Sequence, residues 1–207
     1  FLHYLDLGPH FTTTLQFVRG VMTGTQRSPD LNGVKMLPDI PKDGKIKDQV
    51  GQSSPILVQV AKEPISNKGP RITCEITLAG RYLVLVPFSN KISLSSRIED
   101  DKERERLRKL IQSIRPANMG VIIRTQAEHT TVSELDQDLQ ELIGRWKQTV
   151  KALLQAKAPQ KILGELDKTS SILRDILSDQ FSNIHVNDVK LAATVRKFLH
   201  SSAPELE

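Results

Sequence analysis

Cysteine is almost missing from this chain. Cys74 is the only one in 207 residues, which excludes a disulfide framework and a cysteine-built zinc site within the chain. No stretch approaches the roughly 20 apolar residues that a membrane-spanning helix needs. No signal peptide stands at the visible start, so no membrane partner is expected and a cytoplasmic setting is the simplest reading. The five histidines, His3, His10, His129, His185 and His200, show no metal-ligand spacing. There is no glycine-rich phosphate loop, no nucleophile elbow and no internal repeat.

What is present is ordinary for a chain that buries a core: 38% hydrophobic and 26% charged residues. The net charge is +5 and the pI about 9.4. That modest basic bias is compatible with a polyanionic partner and does not by itself establish one. The length allows one or two domains. The chain opens on Phe1 and closes on Pro204-Glu205-Leu206-Glu207, and it is expected to be a piece of a longer protein.

Read in order, residues 1–7 alternate aromatic or leucine with polar residues and end at Gly8-Pro9, the pattern of a strand tail and turn. Leu15, Phe17, Val18 and Val21 predict a short helical turn. Residues 23–47 are rich in Gly, Pro, Asp and Lys and read as a long polar loop. Strands are expected over 56–60, 72–76 and 81–87, the last central because it is apolar on both faces. Leu107, Leu110, Ile111 and Ile114 mark a helix over 100–114 whose Lys102, Glu103, Arg104, Glu105, Arg106 and Arg108 form the wet face. Thr131 and Glu134 match a capping box. It opens a helix carrying Leu135, Leu139, Leu142, Ile143, Trp146, Val150, Leu153 and Leu154 on one face, with Pro159 beyond it. A helix over 170–178, with Ile172, Leu173, Ile176 and Leu177 inward, a strand over 184–186 and a last helix capped by Asp188 follow. That last helix would turn Val189, Ala192, Val195, Phe198 and Leu199 inward.

Between these helices lies Met119-Gly120-Val121-Ile122-Ile123-Arg124-Thr125. It is a short apolar run leading into an arginine and a threonine. A guanidinium at the point where a strand leaves the core suits a phosphate or carboxylate, and the hydroxyl adds one bond. On the dipeptide alone, a solvated arginine or one pairing with Glu128 or Glu134 is the preferred reading. Upstream stand residues 61–73 around Pro64, then 76–87 with Gly80-Arg81-Tyr82-Leu83-Val84, then Ser95-Ser96-Arg97-Ile98-Glu99. Downstream come Asp136, Trp146, Leu173-Arg174-Asp175 and Ile184-His185-Val186-Asn187. In order and spacing these motifs resemble the ribonuclease E/G family of bacterial endoribonucleases over essentially the whole chain.

The resemblance implies an α+β chain. Its expected parts are a partial OB-type β-barrel of the ribosomal S-one type over 1–74, an α/β 5′-phosphate sensor domain over 75–169, and an incomplete RNase-H-like segment over 170–207. It implies that Arg124 and Thr125, with backbone of Gly80 and Val84, bind the 5′-monophosphate of single-stranded RNA. A glycine at 80 would let backbone approach an anion. Lys62, Lys68 and Arg97 correspond to RNA-binding positions, and Phe1 to a barrel aromatic that stacks on a base. Where the family has two adjacent arginines, this chain has Ser96 and then Arg97. Family cleavage uses a magnesium ion held by two aspartates, and the family carries zinc at a subunit junction. Neither set of ligands matches a residue here, so no catalytic and no metal-binding residue is expected in this chain. Asp136, Asp138, Asp175, Asp179 and Asp188 are the tempting carboxylates. Asp136 and Asp138 are two apart on a helix and do not face each other, and an exposed helix face accounts for Asp175 and Asp179. The expected activity is thus that of the RNA-binding, 5′-end-sensing part of an endoribonuclease, inactive alone and part of a homo-oligomer in the full-length protein. A non-enzymatic RNA-binding module and an α/β partner-binding domain are the alternatives.

Overall fold

The computed structural model describes residues 1–51, 54–164, 168–176 and 181–202. The chain is α+β, with two small sheets and six helices among those residues. It divides into two compact units, Phe1–Leu163 and Gly164–Glu207. No described helix is long and apolar enough to cross a membrane.

The first unit begins with a 3-10 turn, Tyr4–Leu7, not the expected strand tail. His3 and Asp6 cap it reciprocally: His3 Nδ1 accepts the Leu5 N–H at 3.3 Å, and the Asp6 carboxylate accepts the His3 N–H at 3.2 Å. Such local side-chain bonds compete with extended backbone. The expected helical turn is a full helix, α1 (Phe11–Thr23), ended by Gly24 in the left-handed region at φ 77°. Residues 24–45 form the long connection, and α2 (Ile46–Gln49) is a single turn after it. β1 (Gln59–Lys62) and β2 (Arg71–Thr73) then pair antiparallel as a two-stranded ribbon, with an irregular register between Val60 and Lys62. This ribbon is the only sheet of residues 1–74 among those described, and no barrel closes there. It is tied to the 3-10 turn by the Asp6–Arg71 ion pair at 2.7 Å and by the Cys74 N–H to Asp6 carbonyl bond at 2.8 Å.

The main sheet follows the order β3 (Leu78–Ala79), β4 (Leu83–Pro87), β6 (Met119–Ile123), β5 (Ile92–Leu94). β4 is central, as its apolar run predicts, and pairs antiparallel with β3 and β6. β5, an edge strand that the sequence reading did not separate, runs parallel to β6. The crossover between them is α3 (Asp101–Ile114), which Asp100 caps by accepting the Lys102 N–H at 2.9 Å. Gly120 is required by close approach, since a Cβ there would come within 2.7 Å of Ser89 Cβ.

α4 (Val132–Leu153) lies over the sheet and starts with the expected capping box. Its Leu135, Leu139, Leu142 and Trp146 are buried together with Leu83, Leu85, Val121 and Ile123, and Phe17, Val18 and Val21 of α1 join the same core. Leu154, assigned to the inner face, is the C-terminal cap and is partly exposed. Trp146 stacks edge-on to Phe88, and its Nε1 donates to the Pro29 carbonyl at 2.9 Å. The polar connection is thereby pinned to the core. Glu103, placed on the wet face by its sequence pattern, is buried: it binds Arg106 and the His129 backbone.

The second unit holds α5 (Lys168–Ile176) and α6 (Val189–Ser202), with Leu173, Val195, Phe198 and Leu199 as its core. Ile172 and Ile176, expected inward, are about half exposed, and Val189 is solvent-facing in the first turn of α6. Leu177 and Asp179 lie outside the described residues. Residues 184–186 have no strand partner among the described residues and are not a strand. Asp188 does cap α6, accepting the Leu191 N–H at 2.7 Å.

Candidate phosphate-binding site

The site grows from a tight connection between β3 and β4. The Gly80 N–H donates to the Leu83 carbonyl at 2.8 Å and closes it. The next three amides all turn to one carboxylate. Arg81 N–H donates to Asp138 Oδ1 at 2.9 Å, while Tyr82 and Leu83 N–H donate to Oδ2 at 3.0 and 2.8 Å. Asp138 sits on α4 and is only 8% exposed. A buried carboxylate without partners is costly, and these three bonds satisfy it. Burial is still the largest influence on its pKa and pushes it up, against the pull of the three amides and of the Arg124 charge. Gly80 is explained here as well. A Cβ would lie 2.6 Å from Asp138 Oδ2 and overlap Oδ1, so only glycine seats the carboxylate. Two further α4 side chains reach the same segment: Arg145 Nη1 donates to the Ala79 carbonyl at 2.9 Å, and Glu134 Oε1 accepts from the Tyr82 hydroxyl at 3.3 Å. Positions 134, 138 and 145 are spaced by four and seven, which is one stripe of a helix.

Arg124 meets this turn from the sheet. It follows the last residue of β6, its N–H donates to the Tyr82 carbonyl at 2.8 Å, and its Nη1 donates to the Gly80 carbonyl at 2.8 Å and the Arg81 carbonyl at 3.3 Å. The guanidinium is directed at the glycine turn. Alternation puts Arg124 on the same face as Ile122, and Ile122 stands opposite Val84 on β4 and Ser93 on β5. This face is open: Ile122 is 39% exposed, and Val84 is half-buried. Val84 and Arg124 therefore share one end of one sheet face, while Gly80, one residue past the Val84 partner Ala79, turns its α-carbon toward α4 and offers Arg124 its carbonyl. Thr125 leans to the other neighbour of β6, where its hydroxyl meets that of Ser95 at 2.9 Å. Ser95 also accepts the Arg97 N–H at 3.3 Å.

The remaining predicted RNA contacts fall in two places. The Phe1 carbonyl accepts the Ile72 N–H at 3.0 Å, and the residue is 76% exposed. Lys62 stands opposite Arg71 at the end of β1, and Lys68 lies in the loop between β1 and β2. The ribbon thus collects Phe1, Lys62 and Lys68, all exposed. Arg97, also exposed, lies two residues beyond Ser95 and belongs to the sheet end. Among the described residues, no group of three or more His, Cys, Asp or Glu side chains is placed to hold a metal. Asp138 is committed to the turn amides, and Asp136 accepts from Gln140 at 3.3 Å. The sequence reading missed Asp138 and Ser95 as site residues. A signal for Asp138 existed: it falls three after Leu135 and four before Leu142, a carboxylate inside the apolar stripe.

Comparison with known proteins bears on the whole arrangement. The model of the ribonuclease E/G family matches residues 77–207. Ribonuclease E of Synechocystis is 37% identical over 144 residues, 70% of this chain and 21% of that protein. Ribonuclease G of Haemophilus influenzae is 34% identical over 161 residues, 78% of this chain and 33% of its own length. The ribonuclease E/G-like protein of Pyropia yezoensis is 34% identical over 146 residues, 70% of this chain and 29% of its length. The chain thus spans about a fifth to a third of these relatives. With a matched region that covers both the clamped turn and the Arg124 strand, the chain belongs to the ribonuclease E/G family.

Proposed function

We propose that this chain is the RNA-binding and 5′-monophosphate-sensing part of an endoribonuclease that hydrolyses single-stranded RNA in RNA processing and decay. On this reading residues 1–74 are the end of an OB-type RNA-binding domain, 75–169 the 5′-sensor, and 170–207 the start of an RNase-H-like segment. Gly80, Val84, Arg124 and Thr125 hold the terminal phosphate. Phe1, Lys62, Lys68 and Arg97 contact the chain behind it. The magnesium ion of cleavage and the zinc of the family are assigned, on the family resemblance, to segments other than residues 1–207. The whole protein is read as a cytoplasmic homo-oligomer.

The observation that carries this reading is the seating of Arg124. Its guanidinium rests on the Gly80 carbonyl at 2.8 Å at the end of an open sheet face. There a planar, permanently charged donor set is held in one orientation. Charge-assisted bonds contribute about 1.5–3 kcal/mol each, so a single one gives about a 10- to 150-fold preference for a phosphorylated end. The test is binding of matched single-stranded RNA oligonucleotides with a 5′-monophosphate or a 5′-hydroxyl to the wild-type protein and to Arg124→Ala. The wild type is expected to prefer the phosphorylated end by at least about tenfold, and the variant to bind both alike. Equal affinities in the wild type would sink the proposal.

A further inference from the structure

The phosphate reading leaves open why Arg124 points where it does, and the answer lies on the far side of the turn. In a trans peptide group the N–H of one residue and the carbonyl of the residue before it point in opposite directions across one plane. The Gly80 carbonyl is thus antiparallel to the Arg81 N–H, and the Arg81 carbonyl to the Tyr82 N–H. Those two N–H groups are the ones bound by Asp138, at 2.9 and 3.0 Å. Those two carbonyls are the ones bound by Arg124 Nη1, at 2.8 and 3.3 Å. A buried carboxylate and a guanidinium therefore grip the same two peptide planes from opposite sides. Each plane has its positive end on the anion and its negative end on the cation.

We propose that Asp138 is a positioning residue of the phosphate site: it fixes the 80–82 peptide planes and through them the direction of the Arg124 guanidinium. This rests on the reading of Gly80 and Arg124 as the phosphate-binding residues. Asp138 itself touches no RNA, being covered by the turn it holds. Three consecutive amides converging on one anion form a nest with little freedom to rotate. A peptide plane cannot flip without taking an N–H off a buried carboxylate, which leaves an unpaired charge. Gly80 completes the device because any side chain there would displace the carboxylate. The glycine thus serves the anion inside the protein at least as directly as the anion outside it.

The test is the selectivity ratio of the intact protein for 5′-monophosphorylated over 5′-hydroxyl oligonucleotide, measured with a melting curve for each variant. Asp138→Asn puts an NH2 donor against amides that are donors, so at least one plane loses its anchor. Affinity for the phosphorylated end is expected to fall about tenfold or more, with hydroxyl-ended RNA unchanged within about twofold. Gly80→Ala, with Asp138 intact, is expected to give the same selective loss. If Arg124→Ala retains the preference, the phosphate reading fails and this proposal with it. If Arg124→Ala abolishes the preference while folded Asp138→Asn and Gly80→Ala keep it, positioning by Asp138 is overturned and the phosphate reading stands. An equal loss for both RNA ends in the two folded variants means a merely structural role and also overturns it. Should neither variant fold, hydrogen exchange in the wild type decides. The Arg81 and Tyr82 amides are expected to slow with phosphorylated but not with hydroxyl-ended RNA, and equal exchange with both would overturn the proposal.

Discussion

The turn at 80–82 and the loop at 63–70 are two connections between antiparallel strands, three and eight residues long, and they are built in opposite ways. The turn is held by bonds from α4 and β6: Arg145 on Ala79, Asp138 on three amides, Glu134 on Tyr82 and Arg124 on two carbonyls. The loop is exposed throughout residues 62–69, and its internal order comes from the backbone bridge between Ile65 and Lys68. A terminal phosphate is a single compact group, and reading it needs donors fixed in advance, because orientation then costs little on binding. A single-stranded backbone is a repeating charge that cations follow without fixed geometry. On the proposed function, the difference teaches that burial of polar groups, more than net charge, marks where this chain would discriminate.

The sharpest way to break that contrast is through stability. Trp146 is fully buried between Phe17 and Phe88 beneath the clamped side, and Trp146→Ala is expected to cost about 3–5 kcal/mol. Val60 on the ribbon is 55% exposed, and Val60→Ala is expected to stay within about 0.5 kcal/mol. Chemical denaturation of both variants checks this, and comparable losses would mean that the two regions are equally load-carrying. A smaller effect comes from Glu103, which fixes the residues following Thr125. Its carboxylate binds Arg106 at 2.7 Å and accepts the His129 N–H at 2.9 Å. The Arg106 hydrogen bonds lower its pKa most, and against the opposing effect of burial it drops from 4.5 to about 2. A depressed carboxylate gives stability that is present above 4.5 and is lost as pH falls from there toward 2. Arg106 is 39% exposed, so solvent screening holds the contribution to about 2 kcal/mol. The wild-type Tm is expected to fall over that window by more than that of Glu103→Gln. Parallel curves would remove Glu103 from the account.

What was legible in the sequence follows the same division. β4, α3, β6 and α4 were readable because their apolar residues recur at the strand or helix period and their ends carry Asp100, Thr131 and Glu134. Arg124, Thr125, Gly80 and Val84 were named from motif order, and the fold brings Gly80, Val84 and Arg124 to one sheet end. The 3-10 turn at residues 4–7 was not readable, because alternation is also what a capped turn with an exposed Leu5 and a buried Leu7 shows. β5 was too short to stand out, as it is held by pairing with β6 and not by its own pattern. Glu103 and Asp138 escaped for one shared reason: whether a carboxylate on a helix is wet or buried depends on which backbone amides the rest of the chain brings to it. That partner choice spans 26 residues for Glu103 and 55 to 57 for Asp138.

The smallest expected effect tests the loop itself. If the ribbon works through charge alone, the double variant Lys62→Ala with Lys68→Ala removes two counterion-releasing contacts. The slope of log affinity against log salt for single-stranded RNA should then become shallower by about 1.4. Affinity at fixed salt should drop severalfold, and by the same factor for 5′-monophosphate and 5′-hydroxyl ends, because neither lysine touches the Gly80 turn. The contrast would be broken by a selective loss at the phosphorylated end, which would mean that the ribbon reaches into the sheet-end site. An unchanged slope would mean that both lysines are solvated charges. In that case the RNA track would have to be sought around Arg97, which the Ser95–Thr125 hydroxyl pair joins to the sheet end.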